Sequence, residues 1–75
     1  MRIEISYLPL IGLMVKYGIK NYEVTQATGL SADVLARIKK GKPMMLESLA
    51  IIAEYLSKRI GRELKPNDLI QFIYH

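Results

Sequence analysis

Seventy-five residues leave room for one small domain spanning 1–75 and exclude a multidomain chain. Hydrophobic residues make up 51% and charged residues 24%, which excludes a disordered chain, and the absence of cysteine excludes a disulfide framework or a thiolate zinc site. Eleven Lys and Arg against seven Asp and Glu give a charge of +4, which suits a nucleic-acid or acidic-membrane partner.

A chain this short buries only roughly 60% of its unfolded surface, so its apolar residues must be well used, most easily by short helices. Arg2-Ile3-Glu4-Ile5-Ser6 alternates polar and apolar residues and predicts a short strand. From Tyr7 to Val15 the chain is apolar. That run is not expected to be a signal peptide, because Glu4 precedes it and no small-residue cleavage site follows. It is also too short to span a bilayer. Leu10, Leu13, Met14 and Tyr17 instead fall on one face of a first helix. Pro9 fits its first turn and Gly18 its end. A second helix is predicted over Asn21 to Thr28, ending at Gly29. A third begins after the capping residue Ser31 and ends at Gly41. Leu30 and Leu35 can staple its start. A fourth runs from Leu46 to Ser57, with Leu46, Leu49, Ala50, Ala53 and Leu56 on one face. Lys58 to Lys65 reads as a polar connection, and Pro66 as the start of a fifth short helix. The tail from Gln71 to His75 reads either as the last turn of that helix or as a strand. In the second case Ile3 and Ile5 pair with Phe72 and Tyr74, closing the domain or joining two subunits.

The most informative stretch is Ile19 to Gly41. It holds a short helix, a turn at Thr28-Gly29-Leu30-Ser31 and a second short helix. Gly29 supplies the left-handed residue that a sharp turn needs. Val24, Leu30, Leu35 and Ile38 supply an apolar clamp that sets two helices at a steep angle, as in a DNA-reading helix-turn-helix. A helical hairpin that only packs satisfies the same periodicity.

The chain resembles the Cro-like phage-repressor helix-turn-helix family, also called the xenobiotic-response-element type, over residues 8–72. The matching residues are Gly18-Ile19, Val24, Thr28-Gly29-Leu30-Ser31, Leu35, Arg37-Ile38, Gly41-Lys42-Pro43, Leu46-Glu47-Ser48-Leu49, Ile52-Ala53, Leu56 and Pro66-Asn67-Asp68-Leu69. The resemblance implies an all-α, five-helix, lambda-repressor-like bundle. It further implies duplex DNA binding in transcriptional control, commonly as a homodimer, with the third helix in the major groove. The implied base-reading positions are Ala32, Asp33, Ala36 and Arg37. The implied phosphate contacts are Lys20, Asn21, Ser31, Lys40, Lys42 and the Gly41 amide.

The chemistry of these residues is uneven. The guanidinium fork of Arg37 matches a guanine edge, and Ala32 can meet a thymine methyl. Asp33 can accept from cytosine, but it also complements the third helix's dipole. Four cations between Arg37 and Lys42 favour phosphate binding. Two departures from the family stand out. Thr25 occupies a usually small position and fits if its hydroxyl bonds back to its helix. Met45 stands where a serine or threonine cap is common, and Met44 and Met45 are expected to fill an irregular gap.

Outside the motif, Lys58, Arg59, Arg62 and Lys65 read as a solvated basic connection. Tyr17 and Tyr55 read as core-edge residues, and His75, the single histidine, as a disordered terminal side chain. No glycine-rich phosphate loop or metal-ligand cluster is visible, so no enzyme, cofactor, metal, membrane or small-molecule substrate is expected. The expected protein is a cytoplasmic, nucleoid-associated regulator, with repression as its simplest action. The competing expectation is a protein-interaction module that keeps the helix-turn-helix fold.

Overall fold

Short amphipathic segments separated by glycines must bury their apolar stripes against one another, and here they do so around a single centre. The computed structural model describes residues 2–75. The element order is β1 (Ile3–Ser6), α1 (Leu8–Lys16), α2 (Asn21–Thr28), α3 (Ala32–Lys40), α4 (Leu46–Ile60), a 3-10 turn (Pro66–Asp68) and β2 (Gln71–Tyr74). The buried core draws on all four helices and on the connections around them, but on neither strand nor the 3-10 turn: Tyr7, Leu10, Met14, Ile19, Val24, Leu35, Ile38, Leu49, Ile52, Ala53, Leu56, Leu64 and Leu69. No polar or charged residue is buried among the described residues.

The predicted helix-turn-helix is present. Thr28 Oγ1 donates to the Val24 carbonyl (2.6 Å) and accepts from the Leu30 amide (3.2 Å), so one hydroxyl closes α2 and starts the turn. Gly29, at φ 78°, adopts the left-handed conformation that lets the chain reverse without a Cβ clash. Ser31 then caps α3 by accepting from the Val34 amide at 3.4 Å. Thr25 accommodates itself by donating its hydroxyl to the Tyr22 carbonyl at 3.0 Å.

Four helices are observed rather than five. The segment after Pro66 makes only a 3-10 turn, held by the Lys65 amide donating to Asp68 Oδ2 (2.8 Å) and the Leu69 amide donating to the Pro66 carbonyl (3.1 Å). The helix stops there because Leu69 is drawn into the core, and its carbonyl accepts from the Leu10 amide in the first turn of α1 (3.2 Å). That carbonyl is therefore taken by another segment, and an orphan donor of α1 is satisfied at the same time. The tail is the strand β2, antiparallel to β1, with Ile3 opposite Tyr74 and Ile5 opposite Phe72. The pairing closes the domain on itself. The fold is thus mostly helical with a small sheet.

Other expectations change too. α4 continues to Ile60 and is ended by Gly61, and its buried stripe is Leu49, Ile52, Ala53 and Leu56. Leu46 stays exposed because it is the first residue of the helix, beyond the core's edge, and Ala50 because it lies off that stripe. The supposed polar connection also delivers Leu64 to the core, anchored where its amide donates to Ser57 Oγ at 2.8 Å. Met44 packs against the core, but Met45 is exposed and fills no gap.

Candidate nucleic-acid interface

α3 is strongly two-faced. Leu35 and Ile38 point into the core, and the opposite side carries Asp33, Ala36, Arg37 and Lys40. Asp33, Ala36, Arg37, Lys40, Lys42 and Pro43 line one open concavity on the surface. Three of these six are cations and one is an anion, so the concavity is net positive. The last turn of α3 is basic, where cations complement the negative end of the helix dipole.

The loop after α3 is held from inside and outside. Gly41, at φ 68°, ends the helix in the left-handed conformation, and the Lys42 amide donates back to the Arg37 carbonyl at 3.0 Å. From the interior, Tyr7 Oη donates to the Lys42 carbonyl at 2.9 Å. Burial pushes the Tyr7 phenol up, while a Met44 backbone hydrogen bond and the charge of Arg37 pull the other way. From the exterior, Arg37 Nη1 reaches the Pro43 carbonyl at 3.5 Å. Tyr7 is a 35-residue-distant brace for this loop, and neither periodicity nor composition pointed to it. Its only sequence signal is a tyrosine at the strand-to-helix junction.

The other expected phosphate positions lie nearby but apart. Lys20 and Asn21 sit at the start of α2, both exposed, and line a separate depression with Leu35, Ile38 and Lys39. Ser31 and Ala32 are exposed at the start of α3, outside both depressions. The Gly41 amide is turned inward, donating to the Ile38 carbonyl at 3.3 Å. Lys39, which matches none of the implied contact positions, lies beside Lys20 and Asn21. Its position on the helix, two residues from Arg37, turns it toward α1 and α2 instead of the Arg37 side.

α2 is held to α4 by a small polar cluster. Tyr55 Oη donates to Glu23 Oε2, and Arg59 Nε reaches the same oxygen at 3.0 Å. The Tyr55 hydrogen bond, aided by Arg59, holds the Glu23 carboxyl below its usual value, and the same bond raises the Tyr55 phenol. Lys58 pairs with Glu54 at 3.3 Å. Half of the second basic segment is therefore engaged in pairs within the domain.

The family model for the Cro/C1-type HTH DNA-binding domain matches residues 10–73. The chain belongs to this family. Among solved structures, the Cro/C1-type domain is similar to the crystal structure of the transcriptional regulator VanUg, form II. The TM-score is 0.80 at 25% identity, covering 100% of this chain and 92% of that one. A search of curated proteins finds no match. The Cro/C1-type domain has no helix long and apolar enough to cross a membrane among its described residues. It is a DNA-binding domain of the transcriptional-regulator type.

Proposed function

We propose that this Cro/C1-type domain binds duplex DNA sequence-specifically with α3 in the major groove. The observation that carries this reading is the open, positive concavity in which Arg37, Lys40 and Lys42 come together on the outer side of α3. Arg37 reads a base edge, Ala32 and Ala36 offer methyl contacts, and Asp33 orients the helix start or accepts from cytosine. Lys40, Lys42 and the Gly41 region grip phosphates on one side of the groove, and Lys20, Asn21 and Ser31 grip them on the other. The domain acts by occupancy in the cytoplasm, as a repressor, and as a homodimer on two half-sites about one helical turn apart.

Selection on random duplexes followed by a salt titration tests this. Affinity should fall steeply with salt, and Lys40→Ala with Lys42→Ala should lower the log–log slope by about one unit per cation engaged, alike for all sequences. Arg37→Ala should relax preference at one base and lower the affinity for the selected site roughly tenfold. A protein with no duplex affinity at low salt would overturn the proposal and favour the protein-interaction reading.

A further inference from the structure

The depression beside the start of α2 joins two kinds of surface. It holds about 430 Å³, a volume within the range of small-molecule sites. Met14, Ile19, Leu35 and Ile38 belong to its lining, and all four are core residues. The core is therefore reachable from outside along their edges. Gly18 also lies in the lining, where it adds no side chain, and a Cβ there would meet nothing within 4 Å. Lys20, Asn21 and Lys39 supply the polar part, and all three are exposed. No Asp or Glu is among the lining residues.

Chemistry selects the occupant. A DNA phosphate needs cations and small polar groups, so it would use Lys20, Lys39 and Asn21 and leave the apolar floor empty. A neutral apolar molecule would use the floor and leave the lysines without a partner. A molecule with an apolar body and one anionic head uses both. Small-molecule sites have this composition, mostly apolar with a few polar groups that fix orientation. The neighbouring depressions lack it. The Arg37 concavity has cations but no large apolar residue, and the cleft under the ribbon has Glu4 in its lining.

We infer that this depression binds a small organic anion with an apolar body, of the medium-chain monocarboxylate kind, and that its occupation opposes duplex binding. The body lies on Met14, Ile19, Leu35 and Ile38, and the carboxylate meets Lys20, Lys39 and Asn21. Opposition follows because Lys20 and Asn21 cannot serve a carboxylate and a DNA phosphate at once. Mutual exclusion lowers the duplex affinity about tenfold when the anion stands at ten times its Kd. This second clause rests on the phosphate reading of Lys20 and Asn21 above. The first clause does not, and it is tested without DNA.

The experiment is a nuclear magnetic resonance titration of the whole chain with sodium octanoate, kept below the concentration at which it forms micelles. Sodium acetate carries the head without the body, and octan-1-ol the body without the head. Octanoate shifts should saturate as one site, with a Kd of about a millimolar or below, and concentrate at Met14, Ile19, Leu35 and Ile38. Acetate and octan-1-ol should bind more weakly. Lys39→Ala should weaken octanoate roughly two- to fivefold. Val15→Glu, at a lining position that is 76% exposed and so outside the core, should weaken it further by placing an anion beside the carboxylate. Lys58→Ala removes the same charge from α4 and should bind octanoate like the wild type. Shifts that do not saturate, acetate or octan-1-ol binding as well as octanoate, or Lys39 and Val15 variants with undiminished affinity each overturn the site. So does an equal loss in Lys58→Ala. Chain that ignores octanoate but cosediments with phosphatidylglycerol vesicles through these residues assigns the surface to a membrane, and overturns it too. With duplex added, octanoate should displace the wild type more than an equal concentration of acetate does. Octanoate saturation with unchanged duplex affinity overturns the opposition. A chain that binds octanoate but no duplex at low salt overturns the DNA reading and supports the site.

Discussion

Tyr7→Phe isolates the brace between the core and the basic loop. The tyrosine ring is 4% exposed and packs in the core, and phenylalanine keeps that packing. What is lost is one hydrogen bond, from Tyr7 Oη to the Lys42 carbonyl at 2.9 Å. Lys42 is exposed, so water can reach its carbonyl once the hydroxyl is gone. The cost is then an ordinary net hydrogen bond of about 0.5–1.5 kcal/mol, not the penalty of an orphaned buried group. For a domain of this size that corresponds to a fall of roughly 3–10 °C in Tm. Urea denaturation should show a lower midpoint at unchanged m-value. On DNA the effect should couple to one lysine. Tyr7→Phe should weaken binding in the wild-type and Lys20→Ala backgrounds, and add little in Lys42→Ala, because its action passes through the placement of residue 42. Unchanged stability, or an equal loss in all three backgrounds, would refute the brace.

Other consequences follow from the same geometry. Gly41→Ala should lose about 1 kcal/mol by denaturant titration, purely from backbone strain at φ 68°, since a Cβ there meets nothing within 4 Å. Leu69→Ala should cost about 2–5 kcal/mol, a large part of a small domain's stability, and a melting curve like the wild type's would contradict its place in the core. The depressed Glu23 carboxyl contributes stability above its ordinary value of 4.5, which is lost as pH falls through the lower folded value. The raised Tyr55 phenol contributes below 10.0, and that share is lost as pH rises through the higher folded value. Glu23→Gln should accordingly flatten both limbs of a stability-against-pH curve, and unchanged limbs would show that the cluster does not couple α2 to α4.

Local rules carried the motif. Gly29 and Gly41 end their helices because a left-handed residue is needed there and only glycine adopts it freely. Ser31 and the apolar spacing from Val24 to Ile38 act within a few residues, so they could be read in one dimension. The charge run from Arg37 to Lys42 was equally legible, but its division was not. Helical geometry sends Arg37 and Lys40 to one depression and Lys39 to another.

The amino-acid sequence by itself determined a helix-turn-helix at Asn21 to Lys40 and a positive stretch beside its second helix. Those features depend on periodicity, capping and charge, which are properties of neighbouring residues. Only the tertiary structure decided that the segment after Pro66 stops at one 3-10 turn, that the two ends close as a ribbon, and that Tyr7 reaches the Lys42 carbonyl. Each of these depends on which distant segment supplies the partner. Leu69 gives its carbonyl to Leu10, and Gln71 to Tyr74 find their backbone partners in Ile3 to Ser6. A residue's local preference cannot announce a hydrogen bond made to a chain segment dozens of residues away.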